Sequence, residues 1–354
     1  MTMVVMMMMM ALLQLHGDAV DLRNIRQLAA LNNITCILVF GDSTVDPGNN
    51  NHLSTRVKGN YPPYGKDFFH GIPTGRFSNG RLPTDFIAED LGLKASIPAF
   101  LDRGLKREEL LHGVSFASAA CGYDELTANI TKVLPISKQI EYLMHYKIHL
   151  RELVGVVKEE EIVRNAVFVV SAGTNDFVQN YFLQPIRPMQ FSIAQYVDYL
   201  ITCMTTDIKE MHKLGGTIFA VVGAPPMGCL PLVKTITGNT DCVESYNGVA
   251  TSFNSKLKVA LATLKRSLGV RMAYVDVYDI LLNAIYNPVK YGFTVASKGC
   301  CGTGVIEYGD TCKDQVTCED PTKYVYWDAV HPTERMYKLI ADDALMSVVE
   351  NILS

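Results

Sequence analysis

The amino-acid sequence predicts an α/β protein of three layers, a mainly parallel central sheet between two layers of helices. Short β-rich runs alternate along the chain with longer amphipathic patterns, the order expected when helices connect parallel strands. The β-rich runs are almost continuously apolar, which is typical of strands covered on both faces. Because no Pro/Ser-rich linker or internal repeat interrupts this alternation, we expect one domain over residues 34–354.

Each element is predicted from its own pattern. Strands are assigned to the short apolar runs, such as ITCILVF at 34–40, and helices to stretches where apolar residues recur at a spacing near 3.6. Ile136, Ile140 and Leu143 show that spacing in the first long helix. The predicted strands are 34–40, 114–117, 166–171, 217–222 and 270–275, and the predicted long helices are 135–153, 193–214, 243–268 and 333–353.

The composition excludes several classes of function. Of the 354 residues, 48% are hydrophobic and 19% are charged, which is enough for a large core and unlike a disordered chain. The formal net charge is −4 and no long basic block is present, so we expect no nucleic-acid partner.

The first residues form a separate segment. Met3 to Leu13 is an unbroken apolar run, long enough for the core of a signal peptide and too short to span a bilayer. No Lys or Arg precedes it, and a disordered low-complexity start is the alternative. We therefore predict a signal peptide over about 1–19 and an N-terminal extension to residue 33, with no transmembrane segment.

Cysteines and glycosylation sequons agree with a secretory route. The chain has nine cysteines and no C-x-x-C pair, and two sequons begin at Asn33 and Asn129. Cys36 and Cys203 lie in a predicted strand and a predicted helix, and we expect them to be free, buried thiols. At least one disulfide is expected among the other late cysteines, Cys229, Cys242, Cys300, Cys301, Cys312 and Cys318.

Three polar motifs contain candidate site residues. Two of them follow predicted strands, at the carboxyl ends where a parallel sheet binds its ligands, and the third precedes the chain's last predicted helix. Ser43 follows the first strand, where a serine can be an exposed nucleophile or a helix N-cap. Asn175 follows a later strand, and its amide can donate to an oxyanion or cap a helix. Asp328 stands three residues before His331 and can orient its imidazole, although a surface Asp and His are also possible.

Together these motifs resemble, in order, the blocks of the plant GDSL esterase/lipase family of the SGNH hydrolase superfamily. The resemblance runs from about Ile34 to the C-terminus and includes the shorter matches NYPPYGKDF (60–68) and GRFSNGR (75–81). It implies a flavodoxin-like fold. The four main blocks are FGDSTVDPGNNN (40–51), GVSFASAACGYD (113–124), SAGTNDF (171–177) and DAVHPTE (328–334).

The resemblance also implies an activity, hydrolysis of acyl esters by a serine esterase or lipase without a metal or organic cofactor. Ser43 would be the nucleophile, His331 the general base and Asp328 the residue that orients His331. The oxyanion hole would use the Ser43 N–H, the Asn175 side chain and the N–H of residue 119. The substrate would be a small-molecule or lipid ester, and the protein a monomer secreted to the apoplast or cell wall.

The sequence departs from the family pattern at two positions. Ala119 stands where the family has glycine, and Thr44 stands where its name expects leucine. An alanine N–H can serve an oxyanion hole if its φ is negative, whereas a positive φ would strain it. We expect a negative φ at Ala119 and a working hole.

Alternatives remain for the function and for other polar residues. An acyltransferase would use the same triad, and a non-catalytic binding protein could share the scaffold. Asp42 and Asp46 are interpreted as turn-forming rather than catalytic. His145 and His149 are interpreted as a surface helix face rather than a zinc site, and the loop arginines Arg76 and Arg81 could serve either structure or an anionic substrate.

Overall fold

The computed structural model describes residues 22–353, so the predicted signal peptide lies outside the described residues. The predicted class is confirmed, because the central sheet has five parallel strands with helices on both sides. All five predicted strands are present, with boundaries shifted by at most three residues. They are β1 (Ile37–Gly41), β2 (Gly113–Ser115), β3 (Val167–Ser171), β4 (Ile218–Val222) and β5 (Arg271–Val275), in the order β2-β1-β3-β4-β5 of flavodoxin-like folds.

Helices separate the strands along the chain, and the four long helices predicted from apolar spacing are all present. Shorter ones were not predicted. The helices are α1 (Leu22–Leu31), α2 (Pro83–Asp90), α3 (Glu125–Thr131), α4 (Ile136–Val154), α5 (Val156–Arg164), α6 (Ile186–Gln190), α7 (Ile193–Lys213), α8 (Pro231–Ile236), α9 (Glu244–Leu268), α10 (Tyr278–Tyr286) and α11 (Glu334–Val348), with π-helical turns at Asp176–Phe182 and Val349–Leu353.

The two faces of the sheet carry different side chains because successive residues of a strand point to opposite sides. Phe40, Phe168 and Phe219 form a row of contacting rings on one face, where the α4 side chain Tyr146 packs on the ring of Phe116. The opposite face is covered by α2 and α11, which contact each other. The buried core fills both interfaces.

A second, two-stranded parallel sheet was not predicted. It pairs β6 (Val295–Gly299) with β7 (Tyr324–Tyr326), in the cysteine-rich part of the chain. β6 is mostly exposed or half-buried, so it lacks the apolar run by which the other strands were found. Disulfides join Cys229 to Cys242, Cys300 to Cys318 and Cys301 to Cys312, which confirms the expectation of at least one in this group; Cys36, Cys121 and Cys203 are free, and Cys203 is only half-buried.

The folded unit begins earlier than the sequence indicated. Ile25 and Ala29 of α1 are buried in the main core, so α1 belongs to the domain that we expected to start at residue 34. No helix was predicted for these residues, which were assigned to the N-terminal extension, although the helix has an apolar stripe. No helix within residues 22–353 is both long and apolar enough to cross a membrane.

Candidate active site

Ser43 lies in a tight turn at the carboxyl end of β1. Gly41 begins the turn with φ +137°, and a Cβ there would lie 1.9 Å from the Ser171 carbonyl oxygen, so only glycine fits. The Asp42 carboxylate closes the turn by accepting hydrogen bonds from the backbone N–H and the hydroxyl of Thr44, at 3.0 and 2.8 Å. Burial raises the pKa of Asp42 above its ordinary value. This turn carries Ser43 into a cleft beyond the sheet.

Asp46 anchors the segment that follows the turn. Its carboxylate accepts from the backbone N–H groups of Gly48 and Asn49, at 2.8 and 2.7 Å, and from that of Ala119, at 2.9 Å. Burial raises the pKa of Asp46 to about 6, and these N–H groups act in the opposite direction. The interpretation of Asp42 and Asp46 as turn-holding carboxylates is therefore confirmed.

The same contact corrects the prediction for Ala119. Because its N–H is donated to Asp46 and its side chain is fully buried, Ala119 has no donor to offer an oxyanion beside Ser43. Its neighbour Ala120 lines the cleft with Ser43 and has φ +68°, the positive value that we had considered for Ala119. No acceptor for the Ala120 N–H or the Ser43 N–H is found within residues 22–353.

His331 and Asp328 lie in a tight loop after β7. The loop is closed by the Trp327 N–H, which donates to the His331 carbonyl at 2.7 Å. One Asp328 oxygen accepts from the backbone N–H groups of Val330 and His331, at 2.8 and 2.7 Å, and the other lies 2.8 Å from His331 Nδ1. These contacts hold the carboxylate fixed against the imidazole.

The structure brings Ser43, Asp328 and His331 into one chain of hydrogen bonds. His331 Nε2 lies 2.8 Å from Ser43 Oγ, on the opposite side of the ring from the carboxylate. Asp328 is fully buried, and Ser43 and His331 expose only 8% and 4% of their surface. A hydroxyl, an imidazole and a buried carboxylate in this order are able to transfer a proton from the serine.

Two aromatic residues that sequence reasoning did not assign complete the surroundings of Asp328 and His331. The Tyr64 hydroxyl donates to Asp328 at 2.7 Å and accepts from the Gly309 N–H at 2.7 Å. The Phe77 ring lies 5.0 Å from the imidazole, centroid to centroid. Both residues stand in the shorter motifs at 60–68 and 75–81, which was the available signal.

A small second core supports this loop. Tyr64, Phe77, Ala119 and Trp327 pack together with three of the cysteines that form the late disulfides. The loop of Asp328 and His331 is therefore held by aromatic packing and covalent bridges rather than by the main sheet.

Asn175 begins the π-helical turn after β3 and lines the same cleft as Ser43. Its amide nitrogen donates to the Cys121 carbonyl at 2.9 Å and lies 3.5 Å from an Asp42 oxygen, at the limit of a hydrogen bond. Its amide oxygen accepts from Gln179 at 2.8 Å. These bonds fix the amide plane and leave one N–H weakly engaged.

The remaining candidate residues lie away from this site. His145 and His149 are about half exposed on α4, which confirms the surface interpretation, and no cluster within residues 22–353 is placed to hold a metal ion. Arg76 is buried in a two-bond ion pair with Asp85, and Arg81 pairs with two glutamates, so both serve structure. The two sequon asparagines, Asn33 and Asn129, are exposed.

Two cavities meet at Ser43. An open cleft of about 420 Å³ lies above it and is lined by polar and apolar residues that include Arg56, Gln179 and Thr311. A deeper, mainly apolar cavity of about 110 Å³ lies below it, and Asn175 and His331 line both. A substrate could thus occupy both sides of the serine hydroxyl.

Comparison with known proteins agrees with this geometry. Residues 37–344 match the family model described as GDSL-like Lipase/Acylhydrolase. The chain is 51% identical over 335 residues to GDSL esterase/lipase At5g45950 of Arabidopsis thaliana, covering 95% of this chain and 94% of that protein. GDSL esterase/lipase At2g42990 of the same plant is 42% identical, over 87% of this chain and 90% of that one. The lipase Lip_vut3 from a goat rumen metagenome matches with a TM-score of 0.40 at 12% identity, over 90% of this chain and 99% of that structure, which is too distant to carry an argument.

Proposed function

Since this chain belongs to the GDSL esterase/lipase family of carboxylic ester hydrolases, we propose that it hydrolyses acyl esters through a covalent acyl-enzyme on Ser43. The observation that carries the proposal is the chain of hydrogen bonds from Ser43 through His331 to Asp328, with 2.8 Å at each step. The Ser43 end of these hydrogen bonds faces a cleft large enough for an ester.

His331 performs the proton transfers. Its Nε2 takes the Ser43 proton as Oγ attacks the ester carbonyl, which forms the tetrahedral intermediate. The imidazolium is stabilised by Asp328 and then protonates the departing alcohol as the ester C–O bond breaks. Water, deprotonated by the same Nε2, attacks the acyl-enzyme, and Ser43 recovers its proton when the acid leaves.

The oxyanion is stabilised by three donors around Ser43. We assign these as the N–H of Ser43, the N–H of Ala120 and the Asn175 amide. The two backbone groups have no acceptor within residues 22–353. The second N–H of the Asn175 amide makes only a 3.5 Å contact with Asp42, which it would exchange for a hydrogen bond to the oxyanion. Donors of this kind are each worth about 10² to 10³ in rate because they bind charge present only in the transition state.

Labelling with a fluorophosphonate tests the nucleophile directly. We expect wild-type protein and Ser255→Ala, an exposed serine on α9, to label equally, whereas Ser43→Ala and His331→Ala should not. The hydrolysis of p-nitrophenyl butyrate should fall by a factor of about 10⁴ or more in Ser43→Ala. Activity above about a hundredth of wild type in that variant would contradict the assignment.

We further propose that the protein is secreted and glycosylated. The three disulfides and the exposure of Asn33 and Asn129 support this proposal, because disulfides persist in oxidising compartments and glycans require accessible asparagines. Non-reducing peptide mapping of protein from its native compartment should recover the three bridges and glycan mass at the sequons. Nine free thiols in that map would contradict secretion.

A further inference from the structure

The Ala120 N–H shares one planar peptide group with the Ala119 carbonyl. The N–H and the C=O of a trans peptide point in opposite directions, so a partner that fixes the carbonyl also fixes the N–H. Ala120 lines the open cleft with Ser43, and its N–H has no acceptor within residues 22–353. The direction of this N–H therefore depends on what holds the Ala119 carbonyl on the side away from the cleft.

The side chain of Asn50 holds that carbonyl. Its Nδ2 donates to the Ala119 oxygen at 3.1 Å and to the Val57 oxygen at 3.0 Å. Both partners are carbonyls, which can only accept, so the amide nitrogen rather than the amide oxygen must face them. Asn50 is buried, and both hydrogens of its amide are engaged in these two bonds.

Ser118 fixes the other end of the Asn50 amide. Its hydroxyl accepts from the Leu134 N–H at 3.0 Å and donates to Asn50 Oδ1. The hydrogen bonds thus run in one direction, from Leu134 through Ser118 and Asn50 to the Ala119 carbonyl. Each bond in such a series polarises the next, which makes the Ala120 N–H at its end a stronger donor.

The backbone at Ala120 favours the opposite orientation of this peptide. Its φ of +68° is costly for a residue with a Cβ. A rotation of the 119–120 peptide by about 180° would bring this φ to about −110°, in the ordinary extended region. The same rotation would turn the Ala120 N–H away from the cleft. Asp46 holds only the preceding peptide, through the Ala119 N–H, so the bond from Asn50 is what opposes the rotation.

We propose that Asn50 is a positioning residue for ester hydrolysis, because its amide keeps the Ala120 N–H directed at the oxyanion that forms on Ser43. The proposal rests on the proposed hydrolysis at Ser43 and on Ala120 as a donor, and it adds the residue on which that donor depends. Asn50 acts only through the peptide and contacts none of the reacting atoms.

The first test compares Asn50→Ala with Asn49→Ala. The Asn49 side chain is also buried, and its Nδ2 donates to two carbonyls, those of Ser115 and Ala117, both at 2.8 Å. Neither carbonyl belongs to the 119–120 peptide, so the two variants lose comparable contacts. With p-nitrophenyl butyrate, kcat should fall about 10- to 100-fold in Asn50→Ala, with KM within about twofold of wild type. In Asn49→Ala, kcat should stay within about threefold of wild type.

A transition-state analogue provides a measurement that a purely structural role would not change. Propyl trifluoromethyl ketone carries the carbon chain of the butyryl group, and addition of Ser43 Oγ to its carbonyl places an oxyanion beside the same donors. Its Ki should rise in Asn50→Ala by the factor by which kcat/KM falls, and it should be unchanged in Asn49→Ala.

Glycine at position 120 tests the rotation of the peptide. Glycine adopts a positive φ without the penalty of a Cβ, so the N–H should return toward the cleft even when Asn50 is absent. The double variant Asn50→Ala/Ala120→Gly should therefore recover at least about threefold in kcat over Asn50→Ala. Equal kcat in these two variants would show that the peptide does not rotate and would overturn the mechanism.

Ser118→Ala decides the question if Asn50→Ala does not fold. This variant removes only the hydroxyl that orients the Asn50 amide, and kcat should fall about three- to tenfold. Ser115→Ala is its matched control, because that hydroxyl also accepts one N–H, from Ala117, and donates to one carbonyl, that of Val45. We expect wild-type kcat in the control, and equal kcat in the two serine variants would overturn the proposal.

The outcomes separate this proposal from the one on which it rests. Equal kcat in folded Asn50→Ala and Asn49→Ala, or a raised KM at constant kcat in Asn50→Ala, overturns the positioning role and leaves hydrolysis at Ser43 intact. A wild-type protein that hydrolyses no ester overturns both.

Discussion

Replacing Tyr64 with phenylalanine removes a single oxygen atom that holds the carboxylate behind His331. That hydroxyl donates to Asp328 and accepts from the Gly309 N–H, both at 2.7 Å, in a fully buried position. Burial, and then the charge of Asp328, keep the pKa of Tyr64 well above its ordinary value, so the hydroxyl remains a donor. The variant leaves Asp328 with one donor fewer and leaves the Gly309 N–H without its acceptor.

The magnitude follows from these two contacts. A hydrogen bond to a charged group contributes about 1.5–3 kcal/mol, and an unsatisfied buried N–H costs about 1 kcal/mol or more, so we expect a loss near 3 kcal/mol in the free energy of unfolding. In a domain of this size that corresponds to a fall in Tm of roughly 4–5 °C. Because Asp328 keeps its bonds to Val330 and His331, kcat should fall by only about tenfold, with KM unchanged.

Tyr61→Phe is the matched control. Its ring packs 6.1 Å from that of Tyr64, but its hydroxyl donates to the Lys58 carbonyl and does not reach Asp328. We expect a loss of only about 0.5–1.5 kcal/mol and no change in kcat. Thermal unfolding and steady-state hydrolysis of p-nitrophenyl butyrate measure both quantities. A Tyr64→Phe protein with wild-type kcat would refute the positioning role, and equal losses of stability in the two variants would refute the energetic argument.

Three further predictions follow from the site and its surroundings. Asn175→Ala should lower kcat by about 10² to 10³ with little change in KM, and a raised KM at constant kcat would instead make Asn175 a substrate-binding residue. Ala120→Gly should change kcat by less than about tenfold and the free energy of unfolding by less than ~1 kcal/mol, because relief of the φ +68° strain is offset by the flexibility of glycine; a hundredfold gain would mean that the native loop is misaligned. Burial, followed by the nearby charge of Glu125, raises the pKa of Asp207 to about 8, and one of its oxygens has no partner within residues 22–353. In the unfolded state Asp207 loses its proton near pH 4, whereas in the folded state it keeps the proton to higher pH. The free energy of unfolding of the wild-type protein therefore falls as the pH rises toward 8. The Tm advantage of Asp207→Asn should accordingly widen from about pH 5 to pH 8 and then level off, whereas a constant difference would show that Asp207 is already ionised in the folded protein.

The fold was predictable because its signals are local. An apolar run such as VFVVS in β3 needs cover on both faces whatever its neighbours are, and a helix such as α7 shows its buried stripe in its own spacing. β6 was missed for the same reason, since its exposed residues carry no apolar run, and it is held by its pairing with β7 and the adjacent disulfides.

Only the tertiary structure decided which atoms of these motifs lie together at the cleft. The motifs identified Ser43, Asp328 and His331 as candidates, since the order of such motifs along a chain is visible without the fold. Whether the N–H of Ala119 or of Ala120 faces the cleft depends on where the Asp46 carboxylate lies, and that contact joins residues far apart in the sequence. A shift of one residue in the proposed donor is not detectable from composition or spacing.

The sequence by itself determined the alternation of strands and helices, the family and the three residues of the hydrogen-bonded chain, because each depends on residue types within a short window. Only the tertiary structure decided the rest. It showed the Tyr64 hydroxyl against Asp328, the pairing of the late cysteines, the inclusion of α1 in the core and the apolar cavity between the sheet and α11. Each of these is a relation between distant segments, and its geometry is set by how the layers pack rather than by any one segment's preference.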